Sequence, residues 1–149
     1  LAHLRAALDS AAALPVAAVG LDNQGESCLA WDAVTGQPVS PVLVWQDTRT
    51  ESDLDLLRAQ GAEALVRSRT GLPLDSYFSA SKLGWIMRHV PEAQRLRAQG
   101  RLRLGTTDAF FLQHLAGRAV TDITTASRTG LMDLRRAAWD ADLCALHGV

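Results

Sequence analysis

Leu1, Leu4, Leu8 and Ala11 recur at helical spacing along residues 1–13, and Pro15 stops the pattern. The apolar run VAAVGL, residues 16–21, is short and lies between Pro15 and the polar DNQGE, so it predicts a buried strand. SCLAWD, residues 27–32, predicts a second strand, and AVTGQP, residues 33–38, a turn built from Thr35, Gly36 and Pro38. PVLVWQD, residues 41–47, predicts a third strand. So short a connection makes the last two strands an antiparallel hairpin.

The chain then turns helical. Thr48 and Glu51 have the spacing of a capping box, and Leu54, Leu57 and Leu65 carry helical faces across a break at Gly61. TGLPLDSY reads as a loop. In SASKLGWIMRHV the residues Leu83, Ile86, Met87 and Val90 predict a helix that Pro91 ends. RLRLG is a brief strand, and TTDAFFLQHLAG a helix with Gly117 as its stop. DITTASRT opens another helical turn, GLMDL is strand-like, and DADLCALHG forms a last short helix. Hairpins with interspersed helices and no long linker predict one α/β or α+β domain.

Composition narrows the function classes. At 149 residues and 48% hydrophobic, the chain has enough apolar surface for a real core. Its net charge of −1 lacks the basic excess of a nucleic-acid binder. Arg95, Arg97, Arg101 and Arg103 form the one local cluster and are expected on a solvated face. Cys28 and Cys144 stand far apart without ligand-like neighbours, so neither a disulfide framework nor a zinc site is expected, and a reducing, cytoplasmic setting fits. SAAALPVAAVGL is shorter than the roughly 20 residues of a membrane span. Arg5 and Asp9 interrupt the first apolar pattern, against a signal peptide. The chain opens at Leu1, inside a helical pattern, and is expected to be a fragment.

Three polar groups are candidates for chemistry. In GLDNQGES the glycines Gly20 and Gly25 have the separation of a phosphate loop, but Glu26 stands where that loop needs a lysine. Asp22, Asn23, Gln24 and Glu26 follow a predicted strand, at the end where open α/β sheets bind ligands. Glu26 offers two acceptor oxygens to a hydroxylated ligand, while the amides of Asn23 and Gln24 both donate and accept. The alternative is a polar turn that solvates a strand end. Next, VWQDTR holds Trp45, an apolar plate for the C–H face of a polyol, with Asp47 and Arg49 as hydroxyl partners or as braces for each other. Its alternative is a core tryptophan beside a structural ion pair. Tyr77, on the loop before a helix, is either a ligand contact or an aromatic anchor. His3, His89, His114 and His147 form no metal-binding spacing, and neither G-x-S-x-G nor G-x-G-x-x-G occurs.

The segments NQGE, WDAVTGQP, VWQDTRT, TGLPLDSYFSASKLGWIM, LGTTDAFFLQHLAG and TDITTASRTGLMDL, in this order, closely resemble the N-terminal domain of the FGGY family of carbohydrate kinases. Within that family they are most like the glycerol kinases. The resemblance runs from about Val16 to Val149, and its most specific element is Tyr77-x-Ser79-x-x-Lys82-Leu83-x-Trp85-Ile86. It implies an α/β, ribonuclease-H-like (actin-like ATPase) fold, incomplete and with inserted helices, in which residues 1–149 are part of the N-terminal domain. It implies ATP and Mg²⁺ as cofactors of a full-length parent that phosphorylates a polyol or sugar hydroxyl. The chain alone is expected to bind neither cofactor and to be inactive.

By the same resemblance Glu26, Trp45 and Tyr77 hold the substrate, with Asn23 and Gln24 supporting them from the same turn; Asp47 is expected beside them as a hydroxyl partner on its own chemistry. Gly25 departs from the arginine that glycerol kinases carry there. Losing a charged hydrogen bond costs roughly 1.5–3 kcal/mol, and glycine opens room for a longer polyol or a sugar. The resemblance places the Asp-x-Gly-Thr-Thr phosphate motif, the catalytic base and the adenosine domain outside these residues. The expected partner is a small polyol or sugar, with no nucleic acid or membrane, and with self-association of the fragment or a homo-oligomeric parent. A different class of function is a non-catalytic remnant that binds a polyol or a partner chain. A ribonuclease-like activity would need clustered carboxylates and a basic face, and fold kinship alone does not supply a function.

Overall fold

The computed structural model describes residues 2–11, 15 and 17–149, without the side chain of Leu4. Leu1, residues 12–14 and Val16, which entered the readings of the first helix and first strand, lie outside the described residues. The elements run α1 (Ala2–Ser10), β1 (Cys28–Asp32), α2 (Glu51–Ala59), α3 (Ala62–Thr70), α4 (Ser79–His89) and α5 (Pro91–Ala98). There follow β2 (Leu102–Thr106), α6 (Thr107–Ala116), α7 (Ile123–Ser127), β3 (Met132–Asp133), β4 (Ala138–Trp139) and α8 (Ala141–His147).

β1 is the centre of the molecule, and every residue of it is buried. Its alternation explains why it reads as a continuous apolar run. Cys28 and Ala30 face the main core with Leu43, Leu54, Leu83, Ile86 and Leu143. Leu29 and Trp31 face the other way, onto Ala109 and Phe110 of α6. Each fully buried aliphatic side chain in that core contributes about 1.5–3 kcal/mol. β2 pairs antiparallel with β1, Cys28 opposite Thr106 and Asp32 opposite Leu102.

The expected strand at residues 16–21 is not formed among its described members. Val19 and Leu21 are exposed at 57% and 42%. A strand exists by exchanging hydrogen bonds with a neighbour, and both edges of β1 are already taken. β2 holds one edge, and residues 37–43 hold the other through Asp32 N to Gln37 O, Val39 N to Ala30 O and Leu43 N to Cys28 O. Of the expected third strand, residues 41–47, one antiparallel bridge remains, Cys28–Leu43, and a second bridge, Trp31–Pro38, falls within the expected turn. Pro38 and Pro41 lack N–H donors, and the Ser40 hydroxyl takes the Ala30 N–H at 2.9 Å.

The Thr48–Glu51 capping box is also replaced. Thr50 is the cap residue of α2, and its hydroxyl lies 2.8 Å from the Ser81 hydroxyl, while Glu51 pairs with Arg58. Gly61 breaks α2 from α3 as expected, with a φ of 80° that suits glycine. Pro91 ends α4 but also opens α5 at its first turn, where a missing N–H costs nothing. Of the arginine cluster, Arg95 pairs with Glu92 on the surface, but Arg101 reaches the buried Asp32 carboxylate. That pairing, with the Val34 amide, holds the Asp32 carboxyl down at about 2. Gly117 closes α6 in the left-handed conformation. The result is a mixed α/β arrangement whose described strands pair antiparallel.

Candidate functional site

One hydroxyl joins the turn that bears Glu26 to the segment that bears Trp45. Ser27 donates to Gln24 Oε1 at 2.8 Å and accepts the Trp45 N–H at 3.2 Å. Ser27 itself is fully buried, and its two bonds tie the 24–26 turn to the Trp45 segment. Ser79, first residue of α4, donates to the Glu26 carbonyl at 2.9 Å. Ala80 N donates to Thr129 O at 2.8 Å, bringing the loop after α7 to the same place.

That loop carries Arg128, whose Nε donates to Glu26 Oε1 at 2.8 Å. The Glu26 side chain is 12% exposed and that of Arg128 41%. The guanidinium lies 5.7 Å from the Tyr77 ring centre and 5.0 Å from that of Phe78, within reach of a cation–π attraction. The Tyr77 and Trp45 rings meet at 5.1 Å, tilted by 50°. Glu26, Arg128, Tyr77 and Trp45 thus form one connected patch: a carboxylate, a cation and a two-ring apolar surface.

Lys82 fixes the loop that bears Tyr77. It is fully buried, and its ammonium donates to Ser76 O at 2.7 Å and Tyr77 O at 2.9 Å. Burial draws its pKa below the usual lysine value, partly offset by Cys28, Asp47 and the carboxylates of Glu26 and Asp75. Burial likewise pushes the Cys28 thiol up to about 12, which leaves it an inert core residue.

Other expected residues stand apart from the patch. Asn23 turns to α6, its Nδ2 donating to Thr107 Oγ1 at 2.9 Å. Gln24 is spent on Ser27. Asp47 accepts from Arg49 N and Nε at 3.0 and 2.9 Å, and Arg49 in turn lies 4.5 Å from the Trp85 ring centre. Arg49 holds the Asp47 carboxyl below the usual carboxylate range, so of the two roles open to this pair the structure contains the brace. A cavity of about 770 Å³ lies elsewhere, walled by Leu104, Val120, Ile123, Leu131 and Trp139 among others. None of Glu26, Trp45 and Tyr77 lines it.

Arg128 and Ser27 were not singled out from the sequence. Arg128 meets Glu26 across 102 positions, a separation that no local pattern reports. The one local signal is that Asp122 caps α7 by accepting from Thr124 N and Thr125 N, which sets where the following arginine emerges. Among the described residues no group of three or more His, Cys, Asp or Glu side chains is placed to hold a metal ion. No helix of the described residues is long and apolar enough to cross a membrane.

Comparison with known proteins agrees with the resemblance read from the sequence. Residues 3–149 match the family described as FGGY family of carbohydrate kinases, N-terminal domain. A glycerol kinase of Gluconobacter oxydans (strain 621H) is 48% identical over 136 residues, 90% of this chain and 27% of that protein. A glycerol kinase of Rhodospirillum rubrum is 48% identical over 153 positions, covering 100% of this chain and 31% of that protein. A solved structure, Plasmodium falciparum glycerol kinase with ADP, shares the fold with a TM-score of 0.85 and 31% identity, over 90% of this chain and 27% of that one. The chain therefore spans between 27% and 31% of the length of these relatives.

Proposed function

The chain belongs to the FGGY family of carbohydrate kinases, and we propose that it is the substrate-binding part of a longer enzyme that moves the γ-phosphoryl group of ATP to a hydroxyl of a polyol or sugar. In this reading residues 1–149 are part of an actin-like, ribonuclease-H-like N-terminal domain, and a second domain supplies most of the ATP site. The observation that carries it is the connected patch of Glu26, Arg128, Tyr77 and Trp45.

Phosphoryl transfer asks a protein for positioning and charge stabilisation more than for covalent chemistry. Here Glu26 accepts from a substrate O–H with the oxygen that Arg128 leaves free. The Trp45–Tyr77 surface takes the C–H face of the same molecule, and Lys82 keeps Tyr77 at its height. ATP supplies the phosphoryl group. Mg²⁺ would come with the ATP and neutralise charge on its phosphates; among the described residues no group of three or more His, Cys, Asp or Glu side chains is placed to hold it. The relatives named above are glycerol kinases, which makes glycerol the first substrate to try. A β-carbon at Gly25 would meet nothing within 4 Å, which leaves room for a longer polyol or a sugar.

The test is Glu26→Ala in the complete kinase, assayed across a panel of polyols and sugars. Loss of a charged acceptor costs about 1.5–3 kcal/mol, so kcat/KM should fall by about tenfold to a hundredfold. Unchanged kcat and KM on every substrate of the panel would remove Glu26 from the site and this reading with it.

A further inference from the structure

We infer that Arg128 is a specificity-determining residue: it is the donor half of a donor–acceptor pair with Glu26 that selects ligands bearing two adjacent hydroxyls. The inference rests on the polyol site proposed above and names the feature of the substrate which that site reads.

A hydroxyl group both donates and accepts, whereas an ionised carboxylate only accepts. Glu26 alone therefore satisfies one half of a vicinal diol. Arg128 supplies the other half at the right place. Its Nε holds Glu26 Oε1 at 2.8 Å, and among the described residues no hydrogen bond engages its Nη1 or Nη2. Those two nitrogens carry four N–H donors on the same guanidinium that holds Glu26. With a side chain 41% exposed, they face water that a ligand can displace.

The guanidinium is held for this role before any ligand arrives. The Tyr77 and Phe78 rings lie 5.7 and 5.0 Å from it. Its backbone N–H donates to Thr125 O at 3.0 Å, and the next residue's carbonyl accepts from Ala80 N. A donor already fixed in its bound orientation loses little entropy on binding. The space beside the pair is open at Gly25, where an added β-carbon would touch nothing within 4 Å. An anionic ligand would face the Glu26 carboxylate, so the pair fits a neutral diol better than a carboxylate or phosphate group.

The experiment is a cycle between protein and substrate on the complete kinase. kcat/KM is measured for glycerol and for propane-1,3-diol, which lacks the middle hydroxyl, with the unaltered enzyme and with Arg128→Met. The unaltered enzyme should prefer glycerol by about tenfold or more. Arg128→Met should lower kcat/KM on glycerol by about tenfold and on propane-1,3-diol by less than about twofold, the loss lying mainly in KM. Arg128→Lys, which keeps the charge beside Glu26 but not the planar fork, should fall between the two and guards against a fold defect in the methionine variant.

Equal losses on both substrates would mean that Arg128 only orients Glu26, and the inference would be wrong. So would an Arg128→Met enzyme that keeps its preference for glycerol. Glu26→Gln separates the polyol site itself from the pairing of Arg128 with a second hydroxyl. If it leaves glycerol turnover intact, the polyol site and this inference both fail. If it impairs turnover while Arg128→Met affects both substrates alike, only the inference fails.

Discussion

Gly84 of α4 lies so close to α8 that a β-carbon built on it would meet the carbonyl oxygen of His147 at 1.9 Å. The obstacle is backbone, which cannot rotate away as the end of a side chain would. Arg88, one turn further along α4, donates to the same carbonyl at 3.3 Å and pairs with Asp53 of α2. The contact therefore joins α4, α8 and α2 at one point.

Gly84→Ala should destabilise the chain despite its better helix propensity. Alanine gains about 1 kcal/mol over glycine in a helix, whereas overpacking a filled contact costs about 3 kcal/mol. The net loss of about 2 kcal/mol should appear as a lower urea midpoint with a similar slope. A raised midpoint would mean that α8 does not sit against residue 84.

His147 makes the same contact sensitive to acid. The residue is 6% exposed, and burial, helped by the nearby Arg88 charge, pulls its pKa from 6.5 to about 4. The folded state therefore holds it neutral where the unfolded chain would bind a proton. Its contribution is complete above pH 6.5 and is lost as pH falls from 6.5 through about 4. Over that window the loss amounts to about 3 kcal/mol. Melting temperature should decline from pH 7 to pH 4 in the unaltered chain and decline less in His147→Leu. Asp32, held down at about 2, acts only at lower pH and does not obscure the comparison. Identical slopes in the two proteins would place the acid sensitivity elsewhere.

The isolated 149-residue chain should self-associate. Val120, Ile123 and Trp139 are 42%, 59% and 54% exposed around the apolar cavity of about 770 Å³. Among the described residues, β1 is the one strand paired with β2, so the far edge of β2 is open to another chain. Light scattering should show a mass that rises with concentration, less steeply in Trp139→Gln. A constant monomer mass at high concentration would refute this.

The residues legible from the sequence are those whose neighbours in the chain decide their state. The helical repeat of Leu83, Ile86 and Met87 placed α4, Gly117 its left-handed stop on α6, and the short apolar SCLAWD run β1. The motif running from Tyr77 to Ile86 pointed to the family whose description residues 3–149 match. The expectations that failed were all about partners. Residues 16–21 have strand composition, but the edges of β1 were already occupied by segments further along the chain. Thr48 and Glu51 have the right spacing for a capping box, yet Thr50 found Ser81 instead.

The candidate site divides the same way. Side-chain chemistry is written in the sequence: a carboxylate at 26, aromatic rings at 45 and 77, an ammonium at 82. Which of these meet, and that Asp47 turns to Arg49 while Arg128 comes to Glu26, was decided only by folding. Spacing along a chain governs bonds within a turn or a hairpin. Contacts across 102 positions depend on how separate elements pack, because the core that brings α4, β1 and the α7 loop together is assembled from all of them at once.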